Sequence, residues 1–292
     1  MDPFKKLELS DFQVLRPAYR ADPDEACRLC DVSPAVVTMW RRVFDTRFLM
    51  EGDTVLFSLR DYAGRPSYSY PIGREKEKML LSLRALCPKP RFVFVSADQL
   101  NEIQRLFGPG EVTAERKDFD YLYEKKDFLS LAGRKYQAIR NHIHKFEQSF
   151  PDWRYRPLTE ETLPDARRFY REYQSCVTKD DPLFLQEKQI VTEVLENFPQ
   201  YGMTGGVLYA GGGVAGFTVG ETYRDTLYVH IEKGNVEIPG VYQKLSHCYA
   251  ETAGEKIYYV NREEDMGDEG LRRSKLSYRP CALLEKYSIQ IL

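Results

Sequence analysis

Polar and charged side chains are concentrated in residues 261–280, directly after the apolar run Lys256–Val260. Loops at the carboxyl ends of strands often carry functional groups in α/β proteins, so this position predicts a site. Its carboxylates provide a general base, and its basic and phenolic side chains provide donors for an oxyanion or a phosphate. The catalytic candidates are Glu264, Asp265, Arg272, Lys275 and Tyr278, and the substrate-binding candidates are Asn261 and Arg262.

A structural role for the same charges competes with a catalytic one. Acids in the first turn of a helix and bases in its last turn complement the helix dipole by about 0.3–1 kcal/mol each. Arg272 and Lys275 share a helical face in either case, because they are three residues apart.

A second group of candidates lies on the predicted helix around residues 133–146. Tyr136, Ile139, Ile143 and Phe146 recur at helical spacing and form its packing face. The polar side chains could contact the phosphates of a nucleic acid, a lipid head group or a nucleotide, or could simply be solvated. These candidates are Arg134, Arg140, Asn141 and Lys145.

A third group lies on the predicted strand Thr226–Glu232. Strict alternation places His230 and Glu232 on one side, where they could form an acid/base pair. A histidine satisfied on a half-polar sheet face is the alternative. Lys233 follows and is a further substrate-binding candidate.

Gly211, Gly213 and Gly216 match the G-x-G-x-x-G dinucleotide-binding pattern literally. That pattern requires a strand before it and a helix after it, whereas both flanks here are β-prone. The glycines therefore predict a hairpin turn.

Composition indicates an ordinary globular protein of 292 residues with a formal net charge of −2. The balance argues against a chain that coats nucleic acid without specificity, although a local basic face is compatible with it. Without a long apolar run or an apolar N-terminal stretch, no membrane span is predicted and the expected location is the cytoplasm. Cys27 and Cys30 form a C-x-x-C with no second pair nearby, so no metal site is predicted.

The predicted elements fall into two lobes, 1–124 and 125–292, each with helices, an antiparallel meander, a helix and a further strand. In the first lobe, helices are predicted at 34–44, 75–86 and 97–107, with strands between them. In the second lobe, helices are predicted at 130–149, 160–176, 183–197, 241–253 and 269–275, and strands at 206–210, 214–221, 226–232, 256–260 and 284–291.

Long motifs identify a family resemblance. The segment YVNREEDMGDEGLRRSKLSYRP resembles the signature of the phosphatidylglycerol lysyltransferase C-terminal domain family. DYLYEKKDFLSLAGRKYQAIRNHIHKF, GFTVGE and YVHIEKGN also resemble stand-alone members, as do TMWRR and SYPIG near the start. The resemblance covers nearly the whole chain.

This resemblance implies an α/β (α+β) fold of two tandem acyl-CoA N-acyltransferase (GNAT-like) domains with mixed sheets. It also implies transfer of an aminoacyl group from aminoacyl-tRNA to an amine or hydroxyl of a small molecule, a lipid head group or a peptide. On this hypothesis Arg272 and Lys275 stabilise the oxyanion, Asp265 or Glu264 accepts the proton, and Tyr278 orients a reacting group. Arg134, Arg140 and Lys145 would hold phosphates.

Two other functions are compatible with the same fold: an acyl-CoA-dependent N-acyltransferase, and a binding protein without chemistry. Acetyl-CoA enzymes of this fold carry a glycine-rich loop before the helix that starts near Val241. The second glycine expected after Gly240 is missing, which favours aminoacyl-tRNA over acyl-CoA as the donor.

Overall fold

The computed structural model describes residues 3–24, 26–176 and 182–292, which fold into two compact units. The first unit extends to Asp120 and also contains Glu264–Asp268 and Leu283–Leu292, and the second consists of Tyr121–Glu263 and Glu269–Ala282. This division differs from the single boundary expected after residue 124, because two later segments return to the first unit.

The first unit is built on a mixed sheet with the strand order β1-β2-β3-β4-β6-β15-β7 and β5 paired to β3. Neighbouring strands are antiparallel except β4 and β6, which are parallel. Its elements are β1 (Lys5–Lys6), α1 (Phe12–Ala21), α2 (Pro34–Met39), β2 (Arg47–Glu51), β3 (Thr54–Arg60), β4 (Pro66–Tyr68), β5 (Ile72–Gly73), α3 (Lys76–Leu86), β6 (Arg91–Val95), α4 (Ala97–Phe107), β7 (Gly110–Thr113) and β15 (Tyr287–Ile291).

Local sequence signals account for the helices of this unit. Helix α4 begins at a capping box, in which the Ser96 hydroxyl accepts the Gln99 N–H and the Gln99 side chain accepts the Ser96 N–H. The apolar faces of α3 and α4 bury Leu80, Leu83 and Ile103 against the sheet, and each is fully buried. Helix α2 ends at Met39, five residues before the predicted end.

The last strand is placed differently from the prediction. We expected a strand at 284–291 to complete the second lobe, but β15 lies between β6 and β7 in the first sheet, antiparallel to both. Ile289 is fully buried there. Strand pairing over such sequence separations is set by tertiary packing, which local patterns do not contain.

The second unit contains another mixed sheet, with the strand order β14-β8-β13-β12-β11-β10-β9. Strands β12 and β13 are parallel, whereas β9 to β12 form antiparallel neighbours. The strands of this sheet and the helices between them are β8 (Asp120–Glu124), α5 (Lys125–Ser130), α6 (Gln137–Ser149), β9 (Arg154–Pro157), α7 (Leu163–Cys176), α8 (Pro182–Glu196), α9 (Phe198–Tyr201), β10 (Thr204–Ala210), β11 (Gly213–Tyr223), β12 (Thr226–Gly234), α10 (Val241–Thr252), β13 (Tyr259–Asn261), α11 (Glu269–Ser277) and β14 (Ala282–Leu284).

The glycine-rich stretch is confirmed as a hairpin turn. Strand β10 ends at Ala210, which pairs with Gly213, and the two residues between them, Gly211 and Gly212, have positive φ angles of 61° and 76°. A two-residue turn of this kind needs left-handed backbone, which glycine adopts at little cost.

Helices cover both faces of the second sheet. On one face α10 packs closely on β11. The glycines of β11 allow this approach, since a Cβ at Gly216 would meet Leu245 and a Cβ at Gly220 would meet the Tyr249 hydroxyl. On the other face, Phe217 of β11 contacts Phe169 and Tyr170 of α7. Among the described residues, no helix combines the length and apolar character needed to cross a bilayer.

Candidate active site

The parallel strands β12 and β13 pair only up to Tyr228, the third residue of β12, and separate after it. Their register has three pairs, Thr226–Tyr228 against Tyr259–Asn261, while β12 continues to Gly234. Side chains that follow the last pair can therefore face the space between the two strands. In open α/β sheets, ligands bind at the carboxyl ends of strands where neighbours diverge.

A β-bulge lies at the same point of β12. Gly220 pairs with Val229 and Val219 with Ile231, so His230 is the extra residue. The His230 ring stays on the face of Tyr228, on which it stacks with ring centroids 6.3 Å apart. Glu232 is shifted to the opposite face, where its carboxylate accepts a hydrogen bond from Ser246 of α10 at 2.9 Å.

Of the two possibilities considered for His230, the acid/base pair with Glu232 is therefore not formed. Strict alternation would put both side chains on one face, but the bulge adds a residue and reverses the order of faces after it. Bulges re-aim side chains and are enriched beside active sites. The two residues still belong to one region, on opposite faces of the sheet.

His230 is held between two carboxylates. Its Nδ1 lies 2.8 Å from Glu263 Oε1 and its Nε2 lies 3.2 Å from Glu221 Oε1, and its side chain is fully buried. Burial lowers the pKa of His230, but the hydrogen bonds and charges of the two glutamates outweigh it and raise the pKa to about 9. The imidazole is therefore protonated at neutral pH and donates from both nitrogens.

Arg262 occupies the α10 face of the same region. Its Nη2 lies 3.1 Å from Glu232 Oε1, and its guanidinium lies 5.1 Å from the Tyr278 ring centroid. Its Nη1 is buried and has no hydrogen-bond partner in the part of the chain that the structure describes. A buried donor without an acceptor is uncommon and often marks a position that a ligand or water completes.

Lys275 and Tyr278 hold this region in place. The Lys275 ammonium donates to the backbone carbonyls of Arg262 at 2.6 Å and Glu263 at 3.3 Å. Tyr278 is buried and stacked on Phe128, with 4.8 Å between ring centroids. Both side chains are engaged with protein groups, which favours a positioning role over contact with an oxyanion.

The segment 261–278 does not form a single cluster. Glu264 and Asp265 lie in the stretch Glu264–Asp268, which belongs to the first unit, whereas the residues before Glu264 and from Glu269 to Ala282 belong to the second. Asp265 is fully buried, accepts the Gly267 N–H at 2.9 Å and pairs with Arg116 at 3.4 Å. Arg272 pairs with Glu269 of its own helix at 3.2 Å. The sequence shows that these residues are polar. It does not show that the chain enters the first unit at Glu264 and returns to the second at Glu269.

The remaining predicted residues lie in several places of the second unit. Asn261 is buried and its Oδ1 accepts the Glu263 N–H at 2.7 Å, which shapes the turn after β13. Lys233 pairs with Glu187 of α8 at 2.7 Å. Arg140 donates to the Gly133 carbonyl at 2.8 Å. Of the candidates predicted on the helix around residues 133–146, the exposed ones are Arg134, Asn141 and Lys145.

Sequence reasoning missed a cluster of buried charges in the first unit. The Lys286 ammonium lies 2.7 Å from Asp31, 2.8 Å from Asp120 and 3.0 Å from Glu264. It is also 3.2 Å from the Cys30 sulfur. These residues come from four separate parts of the sequence, so no local motif could have indicated the cluster.

The electrostatics of this cluster are dominated by burial. Burial raises the pKa of Asp120 to about 6, although Lys286 acts in the opposite direction. Potential metal ligands in the described chain meet here, since atoms of Cys30, Asp120 and Glu264 lie within 4.8 Å of one another. The Lys286 ammonium already provides a cation for these groups, which favours a structural role.

Comparison with solved structures defines the class of fold. A conserved protein of unknown function from Bacteroides thetaiotaomicron is 30% identical, with a TM-score of 0.89 and 100% of both chains covered. L-PGS from Bacillus licheniformis is 13% identical with a TM-score of 0.65, over 97% of this chain and 92% of that one. With its two mixed sheets, the protein has the tandem GNAT-like α/β fold that the sequence predicted.

The family follows from the sequence match. The model of the phosphatidylglycerol lysyltransferase C-terminal family matches residues 28–290, and the chain belongs to this family. An uncharacterized protein of Mycoplasmoides gallisepticum is 25% identical over 176 residues, which are 59% of this chain and 56% of that protein. The matched region thus spans little more than half of that relative's length.

The two ion pairs of His230, with Glu221 and Glu263, should contribute to the free energy of unfolding in a pH-dependent way. Because the folded pKa of about 9 exceeds the ordinary value of 6.5, this contribution is complete below pH 6.5 and is lost as pH rises through about 9. We expect the free energy of unfolding to fall between pH 7 and pH 9.5 in the wild type, measured by urea denaturation. His230→Gln should lack the part of the decrease that comes from this histidine, whereas His144→Gln, at an exposed position, should keep it. Equal dependence of the unfolding free energy on pH in wild type and His230→Gln would contradict the role given to His230.

Lys286 should be essential to the stability of the first unit. Lys286→Met leaves buried carboxylates without a counter-charge, so we expect a loss of about 3–5 kcal/mol at pH 8. The loss should shrink at pH 5, because a protonated carboxyl needs no cation. Lys5→Met is the matched control: its pair with Asp11 has a lysine side chain that is 65% exposed, and the expected loss is about 1 kcal/mol or less. Equal losses in the two variants, by urea unfolding, would refute the structural role.

Proposed function

We propose that the protein is an acyltransferase that moves an aminoacyl group from aminoacyl-tRNA to an amine or hydroxyl acceptor. The reaction would take place where β12 and β13 diverge. The observation that carries this proposal is the buried Nη1 of Arg262 at that point, which has no hydrogen-bond partner among the described residues. Membership of the phosphatidylglycerol lysyltransferase C-terminal family supports the reaction class.

Arg262 is the proposed catalytic residue. The acceptor's nitrogen or oxygen attacks the ester carbonyl of the aminoacyl group, and the carbonyl oxygen becomes negatively charged. Arg262 Nη1 donates to that oxygen from a buried position, where a fixed donor stabilises developing charge well. When the intermediate collapses, the ester C–O bond breaks and the released ribose hydroxyl carries the proton that the acceptor lost.

The neighbouring side chains act as positioning residues. Glu232 fixes one edge of the guanidinium, and Ser246 lies 2.9 Å from both Glu232 oxygens, which holds the carboxylate in turn. Lys275 holds the backbone at Arg262, and His230 holds Glu263. Preorganisation of this kind removes the need to reorganise dipoles during the reaction.

The choice of aminoacyl-tRNA over acyl-CoA is supported by the start of α10. In GNAT-like enzymes that use acyl-CoA this helix terminus would bind the pyrophosphate. Here a Cβ at Gly240 would lie 2.3 Å from the His142 carbonyl oxygen, so the terminus packs against α6. The loop before it also carries the acidic Glu237. The exposed Asn141 and Lys145 on α6, with Arg134 in the turn before it, are the proposed contacts for tRNA phosphates.

The test is donor consumption by purified protein. A pool of charged tRNAs and, separately, acetyl-CoA would be incubated with the protein and a dialysed cell extract that supplies acceptors. We expect loss of aminoacyl-tRNA that depends on the extract. Arg262→Lys should decrease its rate roughly 100-fold, because the ammonium keeps the charge opposite Glu232 but has no second nitrogen at the position of Nη1. Arg272→Lys changes an arginine paired within its own helix and should leave the rate unchanged.

Each contrary result identifies a different error. Consumption of acetyl-CoA alone would replace the donor with acyl-CoA, and consumption of neither donor with any extract would favour a binding protein. An unchanged rate in Arg262→Lys would remove Arg262 from the mechanism. Urea unfolding of both variants separates these effects from loss of folding.

A further inference from the structure

The backbone turns left-handed directly after Arg262. Glu263 has a φ angle of 57°, in the region that glycine and asparagine adopt readily and that other side chains disfavour. Met266, at 51°, is a second non-glycine residue in the same region, three positions further on. A strained conformation of this kind persists only where the surrounding contacts impose it, and such positions are concentrated at functional sites.

Backbone hydrogen bonds hold both sides of Glu263. Its N–H donates to Asn261 Oδ1 at 2.7 Å. Its carbonyl accepts the Tyr121 N–H at 3.2 Å and the Lys275 ammonium at 3.3 Å. The Tyr121 carbonyl in turn accepts the Arg262 N–H at 3.1 Å. These contacts tie the turn to β8 and to α11, so a change of φ at Glu263 would disturb them.

The Glu263 side chain is anchored as well. Its Oε1 lies 2.8 Å from Nδ1 of the buried His230, and the other ring nitrogen of His230 is 3.2 Å from Glu221 of β11. The direction of a Cα–Cβ bond relative to the preceding peptide group changes when φ changes sign. The carboxylate therefore reaches His230 from the left-handed backbone, and the ion pair in turn stabilises that backbone.

Arg262 is fixed by the same turn. Its carbonyl, in the peptide group that joins it to Glu263, accepts the Lys275 ammonium at 2.6 Å, and its Nη2 lies 3.1 Å from Glu232 Oε1. A shift of that peptide group would carry the guanidinium with it. A misplacement of about 1 Å in a catalytic group can lower a rate on the order of 100-fold. The conformation of Glu263 therefore matters for the position of Nη1.

We propose that the left-handed turn at Glu263 places the Arg262 donor, and that His230 is a positioning residue that holds the turn through the Glu263 carboxylate. This inference rests on the proposed function, because that function gives Arg262 its catalytic role. It assigns Glu263 no contact with the substrate. What matters at position 263 is the backbone conformation, and the carboxylate serves to keep it.

Three substitutions at one position separate the backbone from the carboxylate. Glu263→Gly, Glu263→Asn and Glu263→Ala each remove the carboxylate, but glycine and asparagine adopt left-handed backbone far more readily than alanine. In the donor-consumption assay at saturating aminoacyl-tRNA, we expect Glu263→Ala to be roughly tenfold slower than Glu263→Gly, with little change in the KM of the donor. Glu263→Asn should be close to the glycine variant. Equal rates in the three variants would overturn the proposal, because a residue that acts through its carboxylate gives that result.

His230→Gln tests the second half of the proposal. In the wild type it weakens the hold on Glu263, so we expect the rate at saturating donor to fall about tenfold. In the Glu263→Gly background the same substitution should change the rate by less than about twofold, because glycine keeps the turn without the carboxylate. A fall of the same size in both backgrounds would show that His230 acts by another route and would overturn its role.

Arg224 is the matched control, since it has a φ angle of 55° in the turn between β11 and β12. Arg224→Gly should unfold at a higher urea concentration than Arg224→Ala, just as Glu263→Gly should compared with Glu263→Ala. The two Arg224 variants should nevertheless have equal rates. Equal urea midpoints for Glu263→Gly and Glu263→Ala would overturn the left-handed strain without any assay of activity.

Failure of this inference differs from failure of the proposed function. If the wild type consumes neither donor, the proposed function fails and the positioning role fails with it. If the wild type is active and the three Glu263 variants have equal rates, only the positioning role is removed.

Discussion

The separation of β12 from β13 is the constraint on which the candidate active site depends. Backbone pairing joins the two strands over three residues and then stops, so polar backbone and side chains beyond that point need other partners. Two ion pairs take over: His230 with Glu263 on one face and Arg262 with Glu232 on the other. The bulge at His230 makes this arrangement possible, because it sends His230 and Glu232 to opposite faces.

Because these ion pairs are buried, they matter for the stability of the fold. A charge moved out of water costs several kcal/mol unless partners compensate it. Here the partners come from β11, β12, the segment after β13 and α10. The Lys286 cluster follows the same rule but is saturated, since its ammonium contacts Asp31, Asp120 and Glu264 together. Arg262 differs because its Nη1 has no hydrogen-bond partner within residues 3–24, 26–176 and 182–292. That difference separates a structural charge cluster from one available to a substrate.

Sequence patterns predicted what depends on nearby residues. Three consecutive glycines between β-prone runs were enough for the β10–β11 turn, and the helix predicted at 97–107 has the same bounds as α4. Sequence patterns gave wrong or no predictions where contact with a distant segment determines the structure. The bulge inverts the predicted alternation at Glu232, β15 joins the first sheet, and Lys286 meets residues more than twenty positions away. Arg262 was among the candidates, but nothing local set it apart from Arg272.

An orphan donor needs an energetic explanation. Leaving a buried N–H without an acceptor costs about 1–3 kcal/mol, and a fold could avoid this with a smaller side chain or a second carboxylate. Here the surrounding contacts hold Arg262 in place: Glu232 takes one nitrogen, the Tyr278 ring covers the guanidinium face, and Lys275 fixes the backbone carbonyl. Stabilisation from those contacts offsets the cost and prevents the guanidinium from turning to satisfy Nη1. A donor that none of the described residues satisfies is ready for an acceptor from a ligand, and a carbonyl oxygen that gains charge in a transition state is such an acceptor.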